Sequence, residues 1–193
     1  SGEFSQHPLA RGFPRDLQIV DLGDRWIATF AAHAASAPTD PEPNDNTEIY
    51  WLVSDDQGET WDGEFAVSDD DMPSIQPAVA LDGLGVVHLV WADRAPDGFQ
   101  LFHAESTDSG ETFTLPVQLT FDSLGAWEPA IAVDGGRVWI AWSQIDVPNV
   151  ARIQVGLLDG DSLVDVAVLS EDSRVARTPA LPAPSDRERG QWY

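Results

Sequence analysis

A chain of 193 residues with 42% hydrophobic content is long enough to bury one good core, so disorder is not its default state. Its charge balance is extreme: 33 Asp and Glu stand against 10 Lys and Arg, every cation an arginine, for a net charge of −23. Such a surface repels phosphate backbones and anionic lipids, which argues against nucleic acid or membrane insertion. The lack of cysteine removes disulfides and thiol chemistry.

The acidity has a plain explanation in solubility or adaptation to salt, combined with an Arg-favouring composition. No apolar run of about 18 residues is present to span a bilayer. Ser1-Gly2-Glu3-Phe4 has no signal-peptide character and reads as a cloning remnant, so an export signal is expected outside this chain.

In chain order the sequence is a repeat with a period of about fifty residues. Leu17 to Asp21 precedes Arg25 to Phe30; Pro77 to Gly83 precedes Val86 to Trp91; Pro129 to Gly135 precedes Val138 to Trp142. Each unit reads as four short strands, because β-branched and aromatic runs are bounded by Asp-Gly or Pro turns and no helical periodicity occurs. In the second unit the strands are expected at about 77–82, 86–92, 99–106 and 116–120. The first unit carries about nine extra residues before Ser54, in a loop that includes Ala37 to Asn46. A fourth unit begins at Arg177-Thr178-Pro179-Ala180-Leu181.

One stretch occurs twice: Ser54-Asp55-Asp56-Gln57-Gly58-Glu59-Thr60-Trp61 and Ser106-Thr107-Asp108-Ser109-Gly110-Glu111-Thr112-Phe113. Both read Ser-x-Asp-x-Gly-x-Thr-aromatic. The Asp accepts backbone N–H groups a few residues on, the Gly takes positive φ, and the aromatic packs between sheets. Ser54, Asp56, Gly58, Thr60 and Trp61, with Ser106, Asp108, Gly110, Thr112 and Phe113, are therefore structural residues. In the third unit Leu157 to Val164 keeps a central Asp and a hairpin signal but loses Ser, Gly and Thr.

These stretches resemble the Asp-box, or BNR repeat, of sialidase-like β-propellers, over roughly residues 17 to 181. The resemblance implies an all-β chain of four-stranded antiparallel blades, about three blades and the start of a fourth, which is half of a six-bladed ring. A single propeller region over 1–193 divides into blades at about 15–70, 71–122 and 123–173 with a partial unit at 174–193. A half-ring exposes strand edges and apolar faces. They are covered by the remainder of a longer chain, by a second copy closing a six-bladed homodimer, or by irregular packing of the ends.

Family geometry places ligands on the face opposite the Asp-boxes. Gln76, Trp127-Glu128 and Arg177 stand just before innermost strands, and Asp93 and Arg94 follow a second strand, which makes these six the ligand-binding candidates. Arg177-Thr178-Pro179 resembles the Arg-Ile-Pro motif whose Arg pairs with a sialic acid carboxylate; an Arg solvated or paired with a carboxylate such as Glu128 is the alternative. Trp127 either stacks on a sugar ring or plugs the channel. A sialidase also needs further arginines, an acid Asp and a Tyr–Glu nucleophile pair, and neither Tyr50 nor Tyr193 has that setting. Glu128 as base with Asp93 or Asp40 as acid is the pair open to glycoside hydrolysis.

No cofactor is expected beyond a possible Ca²⁺ in Asp40 to Glu48 or Asp69-Asp70-Asp71, and neither stretch has the spaced ligand pattern of a calcium loop. His7, His33, His88 and His103 are not expected to cluster, and His88 aligns with Ile27 and Trp139 as a packing position. The family points to an extracytoplasmic module, extracellular or periplasmic, that binds a glycan or protein. A sialidase or related exo-glycosidase completed by missing blades or a second copy is the alternative.

Overall fold

A computed structural model of the chain describes residues 14–33, 46–121, 124–148 and 150–170. Among the described residues, twelve strands form three antiparallel four-stranded sheets, each ordered as the chain runs. Blade A holds β1 (Arg15–Asp21), β2 (Trp26–His33), β3 (Thr47–Ser54) and β4 (Asp62–Ala66). Blade B holds β5 (Ser74–Leu81), β6 (Val87–Ala95), β7 (Gly98–Ser106) and β8 (Val117–Gln118); blade C holds β9 (Gly125–Asp134), β10 (Arg137–Val147), β11 (Val150–Asp159) and β12 (Ser162–Val168). The expected strands of the second unit are all present. The fourth is shorter than expected, and the fourth repeat unit lies outside the described residues.

The second strands β2 and β6 are buried on both faces, which is why each reads as a continuous apolar run instead of an alternation. Alternate residues then serve two seams. Ala31 and Ile49 of blade A pack with Leu89, Trp91 and Ala104 of blade B; Val90, Ala92 and Leu101 on the other face of blade B pack with Ala126, Ile140 and Trp142 of blade C. The innermost strands β1, β5 and β9 lie side by side across the blades. These are three consecutive blades of a β-propeller. Among the described residues no helix is long and apolar enough to cross a membrane.

The repeated turns join β3 to β4 and β7 to β8 with one hydrogen-bond set. Ser54 Oγ donates to Asp56 Oδ1 and accepts from Gly58 N, while Thr60 N and Oγ1 donate to Asp56 Oδ1 and Oδ2 at 2.7 and 2.5 Å. Ser106, Asp108, Gly110 and Thr112 repeat the pattern, with Thr112 N and Oγ1 at 3.0 and 2.6 Å from Asp108. In blade C a short hairpin at Gly160 and Asp161 replaces the motif, closed by the Asp159–Ser162 pair.

The second turn also locks two blades together. Trp51 Nε1 of blade A donates to Gly110 O at 3.0 Å, and the Trp51 ring meets Phe113 edge-on with centroids 4.9 Å apart. Arg25 forms a two-pronged pair with Asp55 of its own blade and bonds Glu111 of the next turn. A side chain at Gly110, which has φ +83°, would fall inside Ile27 of blade A.

Candidate functional site

The rim opposite these turns gathers the starts of the innermost strands and the ends of the second strands. At each of the three innermost strands the register slips by one residue against its neighbour: between Arg15 and Gln18, between Ile75 and Ala78, and between Trp127 and Ala130. The bulged residue is polar and left-handed each time: Asp16 at φ 57°, Gln76 at 56° and Glu128 at 51°. For residues that are not glycine this conformation costs about 1–3 kcal/mol apiece, and such strain gathers at functional positions. Two further bulges sit on outermost strands, with Glu64 at φ 139° in β4 and Asp165 at φ 51° in β12, so a bulge alone marks no site. What separates the first three is that they occur in all three blades, each at the start of an innermost strand.

Two of the three are joined. Glu128 N donates to Gln76 Oε1 at 3.0 Å across the seam between blades B and C, and Ser143 Oγ donates to Glu128 Oε2 at 3.2 Å. Asp16 is the residue that the sequence reading missed. Leu17-Gln18 replaces the Pro-Ala that flags the other two starts, yet aligning Leu17 to Asp21 with Pro77 to Leu81 places Asp16 level with Gln76.

Two carboxylates are buried behind this rim. Glu48, 1% exposed, accepts from Ser68 Oγ at 2.6 Å and from Asn46 Nδ2 at 2.8 Å. Burial pushes its acid form up to about 7. Asp93, 4% exposed, accepts from Ser74 Oγ and Trp91 Nε1 at 2.9 and 3.1 Å; burial raises it as well, with Asp70 adding repulsion. Sequence patterning marked Asp93 but not the working position of Glu48. Its surroundings come from Ser68 on the blade-to-blade connection and from Asn46, which no local pattern connects.

Other candidates fall elsewhere. Arg94 is exposed, its guanidinium 5.6 Å from the centre of the Phe99 ring. Trp127 lies in the seam between blades B and C, its ring centroid 6.2 Å from that of Phe99 and its indole over Gly125. Tyr50 is a core residue packed on Phe30. Asp69, Asp70 and Asp71 are exposed, with Asp70 capping Met72 N. Arg177, Tyr193 and Asp40 lie outside the described residues. The expectation that the histidines stay apart is corrected: His88 Nδ1 and His103 Nε2 stand 3.2 Å apart, hydrogen-bonded edge to edge through rings inclined by only 17°. The register of β6 on β7 makes them diagonal neighbours, a pairing that sequence spacing does not reveal.

One groove lies away from the rim. It encloses about 480 Å³ on the face of blade A turned away from blade B, lined by Leu17, Ile19, Ala28, Phe30, Leu52 and Trp61. Its lining offers packing surface and, apart from Arg15 and Asp16 at one end, no charged groups.

No family model matches the sequence, and no curated protein matches it. Solved structures do. A protein of unknown function from Dyadobacter fermentans is 24% identical at TM-score 0.58, over 76% of this chain and 38% of that one. The sialidase of Trypanosoma rangeli in complex with sialic acid is 14% identical at TM-score 0.56, over 83% and 30%. An exo-1,5-α-L-arabinanase from a bovine ruminal metagenomic library is 17% identical at TM-score 0.56, over 84% and 61%. These likenesses establish a β-propeller fold. The chain spans less than two thirds of each of these structures.

Proposed function

We propose that this chain is part of an extracytoplasmic, sialidase-like β-propeller that binds a glycan at the rim formed by Asp16, Gln76 and Glu128, with the repeated turns serving as Asp-boxes that fasten its blades. The observation that carries the proposal is the threefold repetition of a polar left-handed residue at the start of an innermost strand. Planar amide and carboxylate groups fixed in this way suit the paired hydroxyls of a sugar ring, since each offers two hydrogen-bonding atoms in one plane. That the neighbouring folds include a sialidase and an arabinanase adds support for a carbohydrate ligand.

Hydrolysis is the second reading, favoured by one observation: Glu48 is held near neutrality as an acid, and Asp93 is shifted the same way. Binding is preferred because both carboxylates are enclosed and bonded to the protein. Glu48 spends both oxygens on Ser68 and Asn46, and Asp93 bridges Ser74 and Trp91.

A glycan array followed by calorimetry on the retained saccharide tests the proposal. Gln76→Ala and Glu128→Ala are each expected to weaken binding about tenfold, the scale of one or two lost hydrogen bonds. Fluorogenic sialosides and arabinofuranosides should remain intact. Equal affinity in both variants would reject the rim, and turnover abolished by Glu48→Gln would establish the hydrolytic reading instead.

A further inference from the structure

We propose that His88, His103 and Glu105 form a binding site for a borderline divalent transition ion, zinc being the type case, on the face of blade B that packs toward blade C. The alternation of β6 and β7 puts these three residues on the same face as Val90, Ala92 and Leu101. One donor atom from each lies within 4.8 Å of the others. The two imidazoles are buried, at 6% and 3% exposure.

The spacing has a specific meaning. Two imidazole nitrogens bound to zinc at ~2.0–2.1 Å and separated by a tetrahedral angle stand about 3.3 Å apart. His88 Nδ1 and His103 Nε2 stand 3.2 Å apart as a hydrogen-bonded pair, so an ion takes the place of the bridging proton once both rings tilt toward it. The Glu105 carboxylate is 3.9 Å from His88 Nδ1 and its side chain is 41% exposed, so it has room to swing inward and complete a His₂Glu set with the fourth position left to water.

An independent observation comes from the far side of His88. Its Nε2 is buried and has no hydrogen-bond partner. It faces Asp82 Oδ2 at 3.7 Å, just beyond hydrogen-bond reach. Asp82 is itself held by Leu84 N and Val86 N, which both donate to Oδ1 and leave Oδ2 turned to the ring. An ion on Nδ1 makes Nε2–H a stronger donor, and a shift of about half an ångström brings it onto Asp82. The result is the carboxylate–histidine–metal relay that commonly fixes a metal-bound imidazole. Bound there, the ion would clamp β6 to β7 beside the seam with blade C.

The test is a titration of the 193-residue chain with Co²⁺, read by its visible d–d absorption, followed by displacement with Zn²⁺. One equivalent of tetrahedral cobalt is expected. His103→Gln should abolish the band, and Glu105→Gln should weaken binding at least tenfold while leaving circular dichroism unchanged. Glu105 is half-exposed, so its variant still decides the matter if His103→Gln fails to fold. No tetrahedral band in the wild-type chain would overturn the proposal. So would a band of equal strength in the Glu105 variant, because the many surface carboxylates would then be the ligands.

Discussion

Glu48 sits under the proposed rim with its carboxyl enclosed, and this has a direct consequence for stability. Its folded-state value near 7 is above the ordinary carboxylate value of 4.5. The folded chain therefore binds this proton more tightly than the unfolded chain does. The stabilisation is fully present below about pH 4.5, shrinks as pH rises toward 7 and is gone above it, with a slope of at most about 1.4 kcal/mol per pH unit. Glu48→Gln should flatten this decline, so that the variant gains on the wild type between pH 5 and pH 8 in urea-unfolding midpoints. Parallel pH profiles would show that Glu48 ionises freely. At this scale the sequence is only partly legible. Gln76 and Glu128 are visible because Pro-Ala follows each at a constant offset. Asp16 lacks that flag, and the buried state of Glu48 depends on Ser68 and Asn46, partners set by folding.

Among the elements, the two repeated turns are the most legible part of the chain, since their bonding is local and one motif encodes all of it. Their energetic roles nevertheless differ for reasons that lie between blades. The turn at Asp108 supports Gly110, against which Ile27 packs and to which Trp51 bonds, and its Glu111 holds Arg25. Asp108→Ala should cost about 1–3 kcal/mol, because it leaves the Thr112 amide and hydroxyl without their acceptor and loosens the seam between blades A and B. Asp56→Ala should cost less, and Asp159→Ala in the plain hairpin should stay within about 0.5 kcal/mol. Denaturant midpoints would check the order; equal losses at Asp56 and Asp108 would mean that the second turn does not couple the blades. The hydrogen bonds at Thr112 and Ser106 also hold Asp108 down to about 2, so its contribution is present above the ordinary carboxylate range and fades only as pH falls toward 2.

For the whole molecule, the fifty-residue period announces three four-stranded blades and tells which strand ends share a rim. The period cannot say which side chains meet across a seam. Trp127, whose position suggested the channel, packs instead with Phe99 between blades, and His88 meets His103 only through the register of β6 on β7. The outer face of blade A carries the apolar groove of Leu17, Ile19, Phe30 and Trp61. Alternation puts Phe30 on the side of its blade that Trp91 and Trp142 use to dock on a preceding blade. Two surfaces thus compete as the place where a saccharide is held: a polar rim built from three strained residues, and a groove shaped for another sheet. The most direct test is amide chemical-shift mapping while the oligosaccharide best retained on the array is added to the isotope-labelled chain. Binding at the rim predicts shifts centred on Asp16, Gln76, Glu128 and Ser143. Shifts confined to Leu17, Ile19 and Trp61, or none at all, would contradict it.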